Sequence, residues 1–435
     1  IKANRNINPP ELTIITKPAQ ACVVGLSRVA NIEVQQFRIK VIDLRTSKPF
    51  MKSLYQACCI ENEQEIRLDY DQISVARLKE IKLMPLEFEY IFIQNASYWI
   101  VGGLGGLGIT ILEWMLERNA KNIVLFGRKV PSPGLIRHLT DLETKYTASI
   151  KIKQLDISDL QSLEKAHHEL TIEMPKIKGI IHAAGVLEDN LLTKQTWDSF
   201  IHVATPKILG VWNLDKVCKD DQLDFFVMYS SQSSMIGNLG QANYAAANSF
   251  LDTLAHYLRH NNIPGMSINW GPWLEVGLAA NMDRVSQEQM QLSGIQAFSP
   301  TMGIAALDNI MRQEFNKTQL VVLGIDWQRY FAQVDISSQP ILTEIRQNVQ
   351  INKKRINLNE SNQLIQSLFN ASIVDRHEIL SVYLEGEVKK VLGLSNDVII
   401  DRKVGLISIG MDSLMAVEFR NRINKALGDA FAKSL

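Results

Sequence analysis

Tyr98-Trp99-Ile100-Val101-Gly102-Gly103-Leu104-Gly105-Gly106-Leu107-Gly108 is the stretch on which the fold turns. Four apolar residues of strand character run into a glycine cluster, and an apolar helical stretch, Ile109 to Asn119, follows. Glycines at a strand-to-helix turn let the backbone approach a pyrophosphate, and the helix N-terminus supplies N–H donors and positive potential. The spacing holds G-x-G-x-x-G, from Gly103 to Gly108, together with G-x-x-G-x-G variants. In this setting the motif predicts a nucleotide site built from Gly102, Gly103, Leu104, Gly105, Gly106 and Leu107.

The same rhythm continues downstream. Ile123 to Phe126, Ile150 to Leu155, Gly179 to His182, Phe225 to Tyr229, Met266 to Trp270 and Leu320 to Leu323 are short apolar runs separated by helical stretches. That pattern predicts an α/β fold with a doubly wound parallel, Rossmann-like sheet, whose loops gather on one carboxyl edge. The second strand ends at Phe126-Gly127-Arg128-Lys129, with no ribose-binding carboxylate. Arg128, with Lys129 beside it, suits a ribose 2′-phosphate, which points to NADPH. Asp156 ends the third strand and is expected at the adenine edge. Ala183, Ala184 and Gly185 end the fourth, where small residues let the chain pass close to ribose and nicotinamide.

Composition narrows the class. The 435 residues, at ~150 per unit, suggest about three units. With 46% hydrophobic and 21% charged residues the chain reads as globular. Lys plus Arg and Asp plus Glu balance at 46 each, which gives no reason to expect a nucleic-acid or membrane partner. Cys22, Cys58, Cys59 and Cys218 lack metal-ligand spacing and read as reduced thiols of a cytoplasmic protein; no metal is expected. No apolar run is long enough for a bilayer. Ile1-Lys2-Ala3-Asn4 is no signal peptide and lacks an initiator Met, so the chain reads as cut from something longer.

Upstream, residues 1–95 carry no chemical motif. Leu12 to Thr16 and Arg38 to Leu44 are strand candidates, with a helix from Ala21 to Ile32 between them. Glu65 to Leu68 and Ile73 to Leu78 look like strands paired through Asp69-Tyr70-Asp71. Residues 331–376, rich in Gln, Asn and Ser, read as a linker with some helix. From about Asp375, Val382, Leu384, Val388, Val391 and Leu392 mark a helix.

Residues 229–250 read Tyr-Ser-Ser-Gln-Ser-Ser-Met-Ile-Gly-Asn-Leu-Gly-Gln-Ala-Asn-Tyr-Ala-Ala-Ala-Asn-Ser-Phe. Tyr244 begins an Ala-rich helix, with Asn248 one turn on along the same face. Reducing a ketone needs a proton donor at oxygen, and a phenol, with a pKa near ~10, needs a nearby cation for that task. The chain resembles the short-chain dehydrogenase/reductase superfamily. Most members carry Lys four residues after the Tyr, where this chain has Asn248. Polyketide synthase ketoreductases exchange the two positions and place the Lys in a segment like Thr205-Pro206-Lys207-Ile208-Leu209-Gly210. The resemblance implies Tyr244 as proton donor, Ser231 at the substrate oxygen, Lys207 as tuning cation and Asn248 as organiser of a proton relay. His182 and His202 are read as structural.

The resemblance extends to both ends. Gly25 to Val29 and Val41 to Leu44 resemble the noncatalytic structural subdomain of these reductases, here expected to be a truncated, degenerate Rossmann-like half without a cofactor. Asn269-Trp270-Gly271-Pro272-Trp273 resembles the segment before a mobile lid, expected around residues 275–295. Gly410-Met411-Asp412-Ser413-Leu414, followed by an amphipathic run, resembles an acyl carrier domain. It implies 4′-phosphopantetheine on Ser413 and a partial helical carrier. The expected domains are 1–95 (structural), 96–330 (catalytic), 331–376 (linker) and 377–435 (carrier).

The implied function is NADPH-dependent reduction of a carrier-bound β-ketoacyl thioester within a polyketide synthase module. Ketosynthase, acyltransferase and phosphopantetheinyl transferase are the implied partners. In the family a Leu-Asp-Asp loop marks the group giving the D (usually 3R) alcohol; this chain has Leu187, Glu188 and Asp189 there. The opposite group carries Trp eight residues before the Tyr, where this chain has Ile236. The alternatives are a cofactor-binding scaffold without turnover, which the intact Lys207, Ser231, Tyr244 and Asn248 disfavour, and a reductase of an iterative fatty-acid or glycolipid synthase.

Overall fold

The computed structural model describes residues 11–17, 20–34, 38–46, 49–83, 89–278, 284–313, 317–334, 339–349, 364, 367–368, 371–395, 398, 400–402 and 404–427. The side chains of 284–286, 373–374 and 424–427 lie outside the description, as does part of the expected lid.

Two sheets organise the polypeptide. The smaller has the order β1 (Glu11–Thr16), β2 (Arg38–Leu44), β3 (Glu65–Asp69), β4 (Gln72–Val75). Its first three strands are parallel, and β4 returns antiparallel through the turn at Tyr70. The chain leaves that sheet at Val75, before the expected Leu78, whose N–H donates to Ile341 O (2.8 Å). Ile42, Ile66 and Leu68 pack on Ala57 of the Met51–Cys59 helix.

The larger sheet comprises β5 (Ser97–Val101), β6 (Asn122–Gly127), β7 (Ser149–Gln154), β8 (Ile177–His182), β9 (Phe225–Ser231), β10 (Gly265–Trp270) and β12 (Gln319–Val322). Short β11 (Ile295–Gln296) and β13 (Gly324–Ile325) pair with each other outside it. The order is β12-β10-β9-β8-β5-β6-β7, all parallel. Parallel sheets need cover on both faces. Here Tyr98 and Ile100 enter one core with Ile111, Trp114 and Met115, while Trp99 and Val101 enter the other with Phe126, Leu163 and Leu214. That two-residue alternation is the strand period. The strand order reverses between β5 and β8, so the crevice beyond their carboxyl ends is where a doubly wound sheet receives a ligand.

The two sheets are joined by helices rather than strands. The Cys22–Glu33 helix crosses the Ala242–His260 helix at Gly25, where an added Cβ would stand 2.2 Å from Ala245 O. Only a residue without a side chain permits that approach. Ser249 Oγ donates to Ala21 O (3.0 Å) beside it. Arg28 reaches from the same helix to Glu65 and to Ser234 O. Burial costs this guanidinium, but the Glu65 carboxylate more than restores its charged form.

The stretch expected as linker contributes to packing at its start. Ile341, Leu342 and Ile345 bury against Met235, Ile236, Tyr330 and Phe331. At the C-terminal end the Ile373–Leu392 helix begins at a Ser372 cap and ends at Gly393, with φ +63°. Its Val388, Val391 and Leu392 pack with Met411 and with Met415 and Phe419 of the Ser413–Leu427 helix. Val382, expected in the apolar stripe, points outward. Among the described residues no helix is long and apolar enough to cross a membrane.

Candidate active site

A large cleft runs along the carboxyl edge of the seven-stranded sheet. Its floor is the glycine turn. Gly102 has φ +82°, and an added Cβ would stand 2.8 Å from Ala184 N. Gly108 is as tightly held, with an added Cβ only 2.4 Å from Gly102 O. The turn is thus compressed between the ends of β5 and β8, and Gly106 opens the Gly106–Glu117 helix toward the cleft. Gly102, Leu104, Gly105, Gly106 and Leu107 line the cleft. Gly103 does not: its N–H donates to Phe126 O (3.1 Å), and an added Cβ would meet Ile100 O at 2.8 Å.

Arg128 and Asp156 close one end of the cleft. Arg128 is half-exposed, and its Nη1 lies 3.7 Å from Asp156 Oδ2. Asp156 Oδ1 accepts from Ser158 N (2.9 Å) and Ser158 Oγ (2.7 Å). Ala183, Ala184 and Gly185 follow β8 along the cleft wall. An added Cβ at Gly185 would stand 3.0 Å from Lys207 Cε, so its smallness keeps the lysine in place.

Tyr244, Ser231 and Lys207 face the cleft together, although 37 residues separate the first from the last. Lys207 is almost wholly buried, its Nζ 5.4 Å from the Tyr244 ring centroid and donating to Tyr229 O (2.9 Å). Burial pushes the Lys207 ammonium down to about 7, with the Asp252 carboxylate acting against that. Burial likewise pushes the Tyr244 phenol up to about 12, and the side chains of Asn248 and Ser231 counteract it. Ser231 Oγ accepts from Ser233 N (3.2 Å) and Ser233 Oγ (3.0 Å) and so starts the short Gln232–Ile236 helix.

Asn248 sits behind the cleft wall. Its Nδ2 donates to Tyr244 O (2.8 Å), while its buried Oδ1 has no partner among the described residues. A buried acceptor without a donor costs about 1–3 kcal/mol, so this atom calls for a water or a ligand. His182 Nε2 lies 3.1 Å from Pro206 O, and burial, with the Lys207 charge adding, pushes the ring down to about 3. A neutral, enclosed imidazole there props the Pro206–Lys207 segment.

The loop after β8 divides its residues. Leu187 and Asp189 line the cleft, and Asp189 Oδ2 accepts from Gln241 Nε2 (2.9 Å) at the start of the Tyr244 helix. Glu188 turns away, with its carboxylate 2.9 Å from His202 Nδ1. Ile236 is buried against the Tyr330 cluster.

Several organising residues escaped the sequence reading. Asp252, two turns beyond Tyr244, accepts from Ser234 Oγ (2.8 Å), Ser267 Oγ (2.6 Å) and Asn269 Nδ2 (2.9 Å). The available signal was a carboxylate one turn beyond Asn248 on the same helix. Glu33 accepts from Leu192 N (2.6 Å) and Gly240 N (2.9 Å), tying together two entrance loops. The fold also brings ligand atoms of His167, Cys218 and Asp221 within 4.8 Å of one another, which sequence spacing did not suggest; the His167–Asp221 hydrogen bond (2.9 Å) accounts for part of it.

A glycine turn at the switch point of a parallel sheet with this strand order defines a Rossmann-like, nucleotide-binding fold. Comparison with known proteins is more specific. Residues 96–275 match the KR domain family model, and residues 382–432 match the phosphopantetheine attachment site model. The chain is 27% identical over 93% of its length to a component of the phenolphthiocerol/phthiocerol polyketide synthase of Mycobacterium tuberculosis, covering 22% of that protein. It is 27% identical over 95% of its length to 6-methylsalicylic acid synthase of Aspergillus terreus, covering 24% of it. A ketoreductase domain from the bacillaene assembly line superposes with a TM-score of 0.66 at 26% identity, covering 74% of this chain and 79% of that one. The chain thus spans less than a quarter of these two curated relatives. Residues 96–275 are a KR domain followed by a phosphopantetheine attachment domain, and the chain is similar along most of its length to polyketide synthases.

The buried Lys207 generates a pH signature. Below both its folded value of about 7 and its ordinary value of 10.5, lysine is charged in the folded and unfolded chains, and folding bears the full cost of burying the charge. Between the two values only the unfolded chain keeps the proton, so this cost fades as pH rises. Lys207→Met removes it altogether. The Tm of the variant minus that of the parent is expected to be most positive near pH 6 and to decline toward pH 9. A difference that is flat with pH contradicts the buried cation.

Proposed function

We propose that this chain uses NADPH to reduce a carrier-bound β-ketoacyl thioester to the β-hydroxyacyl thioester, with the acyl group borne by 4′-phosphopantetheine on Ser413. The observation that carries the reading is the convergence of Tyr244, Ser231 and Lys207 on the cleft whose other end holds the glycine turn and Arg128. The same residues fit a nicotinamide dinucleotide. Gly102 and Gly108 leave room for backbone only, and Arg128 presents a guanidinium at the end of β6 for a 2′-phosphate. Asp156 and Ala183 to Gly185 would flank the adenine and the ribose. When bound, the nicotinamide supplies the hydride to the carbonyl carbon.

The chain's own residues handle the oxygen. Tyr244 donates its phenolic proton as negative charge develops there, and Ser231 donates a hydrogen bond to the same atom. The Lys207 cation lowers the cost of the phenolate left behind. Asn248 Oδ1, the unpartnered buried acceptor, suits a water that returns the proton. Leu187 and Asp189 shape the entrance opposite Tyr244, with Glu188 held aside by His202, and this loop is assigned the control of which ketone face is presented.

The working division is a structural unit over 1–95, a catalytic unit over 96–330, a connector over 331–376 and a carrier over 377–435. Ketosynthase and acyltransferase domains would supply the substrate, and a phosphopantetheinyl transferase would modify Ser413. The four unbridged cysteines suit the cytoplasm.

Nicotinamide absorbance, followed with NADPH and a β-ketoacyl N-acetylcysteamine thioester, tests the reading. Tyr244→Phe is expected to lower turnover by at least about two decades, the range of a lost general acid, while NADPH affinity stays near that of the parent. Parent-like turnover removes Tyr244 from its role, and no turnover by the parent leaves only a cofactor-binding scaffold.

Arg128→Ala is expected to weaken NADPH by roughly 1.5 kcal/mol at this half-exposed site, about tenfold, and NADH hardly at all. Equal losses for both cofactors, measured by fluorescence titration, would exclude a 2′-phosphate contact.

The D-alcohol is the expected product. Chiral chromatography of the reduced thioester reads it directly, and a predominantly L product overturns the assignment of the Leu187–Asp189 loop.

A further inference from the structure

The carrier segment is seated on the mouth of the reductase cleft, and one contact stands at its modification site. Lys194 Nζ donates to Ser413 Oγ. Lys194 is exposed and forms no ion pair among the described residues. A lysine facing a serine hydroxyl gains one neutral acceptor there. A lysine facing the phosphodiester that would replace the hydroxyl proton gains a full opposite charge and several acceptor oxygens, one bond beyond Oγ.

Neighbouring contacts make the placement specific. Leu414 packs over Gly240, where an added Cβ would stand 3.0 Å from its Cδ2. Arg420 Nη2 donates to the backbone O of Glu33 (3.2 Å), the last residue of the Cys22–Glu33 helix. The Glu33 carboxylate meanwhile holds Leu192 N and Gly240 N, and Asn190 N donates to Gly240 O (2.8 Å). Lys194 therefore projects from a turn that a buried carboxylate fastens, and Leu414 and Met415 line the same cleft as Ser231 and Tyr244.

We propose that Lys194 is a binding residue for the phosphate of the phosphopantetheine arm, fixing the arm's root at the cleft mouth so that its thioester end is fed toward Tyr244. The proposal rests on the reading of Ser413 as the attachment site and of the cleft as the reductase site. It adds a recognition element for the arm itself, a phosphate ester of a pantetheine chain, independent of the acyl group.

The test uses the full chain and two substrates that differ only in the phosphate: the β-ketoacyl thioesters of 4′-phosphopantetheine and of pantetheine. The parent is expected to favour the phosphorylated thioester in kcat/KM by about three- to tenfold, the scale of one exposed charge-assisted contact, with the advantage fading as salt is added. Lys194→Ala is expected to bring the ratio to about one, Lys194→Glu below one, and Lys194→Arg to keep most of it. Rates with the pantetheine thioester should stay unchanged in all three, which shows that the variants are folded. A parent ratio of one, or a ratio indifferent to residue 194 while both thioesters turn over, overturns the proposal. If the parent reduces neither thioester, the reductase reading fails instead. Calorimetric binding of free 4′-phosphopantetheine, compared between parent and Lys194→Glu, then still decides the phosphate contact: weaker binding to the variant supports it and equal binding overturns it.

Discussion

One buried carboxylate ties the helix that carries Tyr244 to the sheet edge that carries Ser231. Asp252 lies on the Ala242–His260 helix and takes hydrogen bonds from Ser267 and Asn269 on β10 and from Ser234 just past β9. Burial pushes its own carboxyl upward, and the four side chains around it, Ser267, Asn269, Ser234 and Ser230, oppose that. A buried, hydrogen-bonded carboxylate is costly to disturb, because removing any donor leaves an orphaned polar group in a low-dielectric interior. The network therefore fixes the rotation and height of the Tyr244 helix against the sheet edge that carries Ser231. It also sets the field in which Lys207 sits, since Asp252 favours the lysine's charge against the effect of burial.

The smaller sheet acts through this same helix. Gly25 lets the Cys22–Glu33 helix touch the backbone at Ala245, one residue past Tyr244. Arg28 reaches Ser234 O, beside the Asp252 network, and Glu33 gathers the two entrance loops. A unit without a glycine turn or catalytic group thus supports the site from three directions. Such support is what a cleft built from loops requires, because loop backbone has few bonds of its own to hold it.

Much of the fold was legible beforehand. Strands at 38–44 and 98–101 and the helix following the glycine turn declared themselves by period and composition, because a parallel sheet covered on both faces demands short, continuous apolar runs. The turn announced itself through glycines that no other residue could replace at Gly102 and Gly108. Less was legible where side-chain direction matters. Gly103 belongs to the motif yet packs under the loop, and Glu188 belongs to the entrance loop yet pairs with His202. Residues 331–376 read, from their Gln, Asn and Ser content, as a linker with some helix, and within them Ile341, Leu342 and Ile345 join a buried cluster.

What the sequence determined by itself was the class of fold and the glycine turn, since these follow from local period and motif spacing, while the set of Tyr244, Ser231, Lys207 and Asn248 was implied by the family resemblance. Tertiary structure alone decided which side chains line the cleft and which turn away from it, and that Asp252, Glu33 and Lys194 belong to the same assembly. The physical reason is that burial and charge neighbourhood are properties of packed elements. A lone Glu at the end of a helix or a Lys in a turn carries no local signal until the chain folds another element against it.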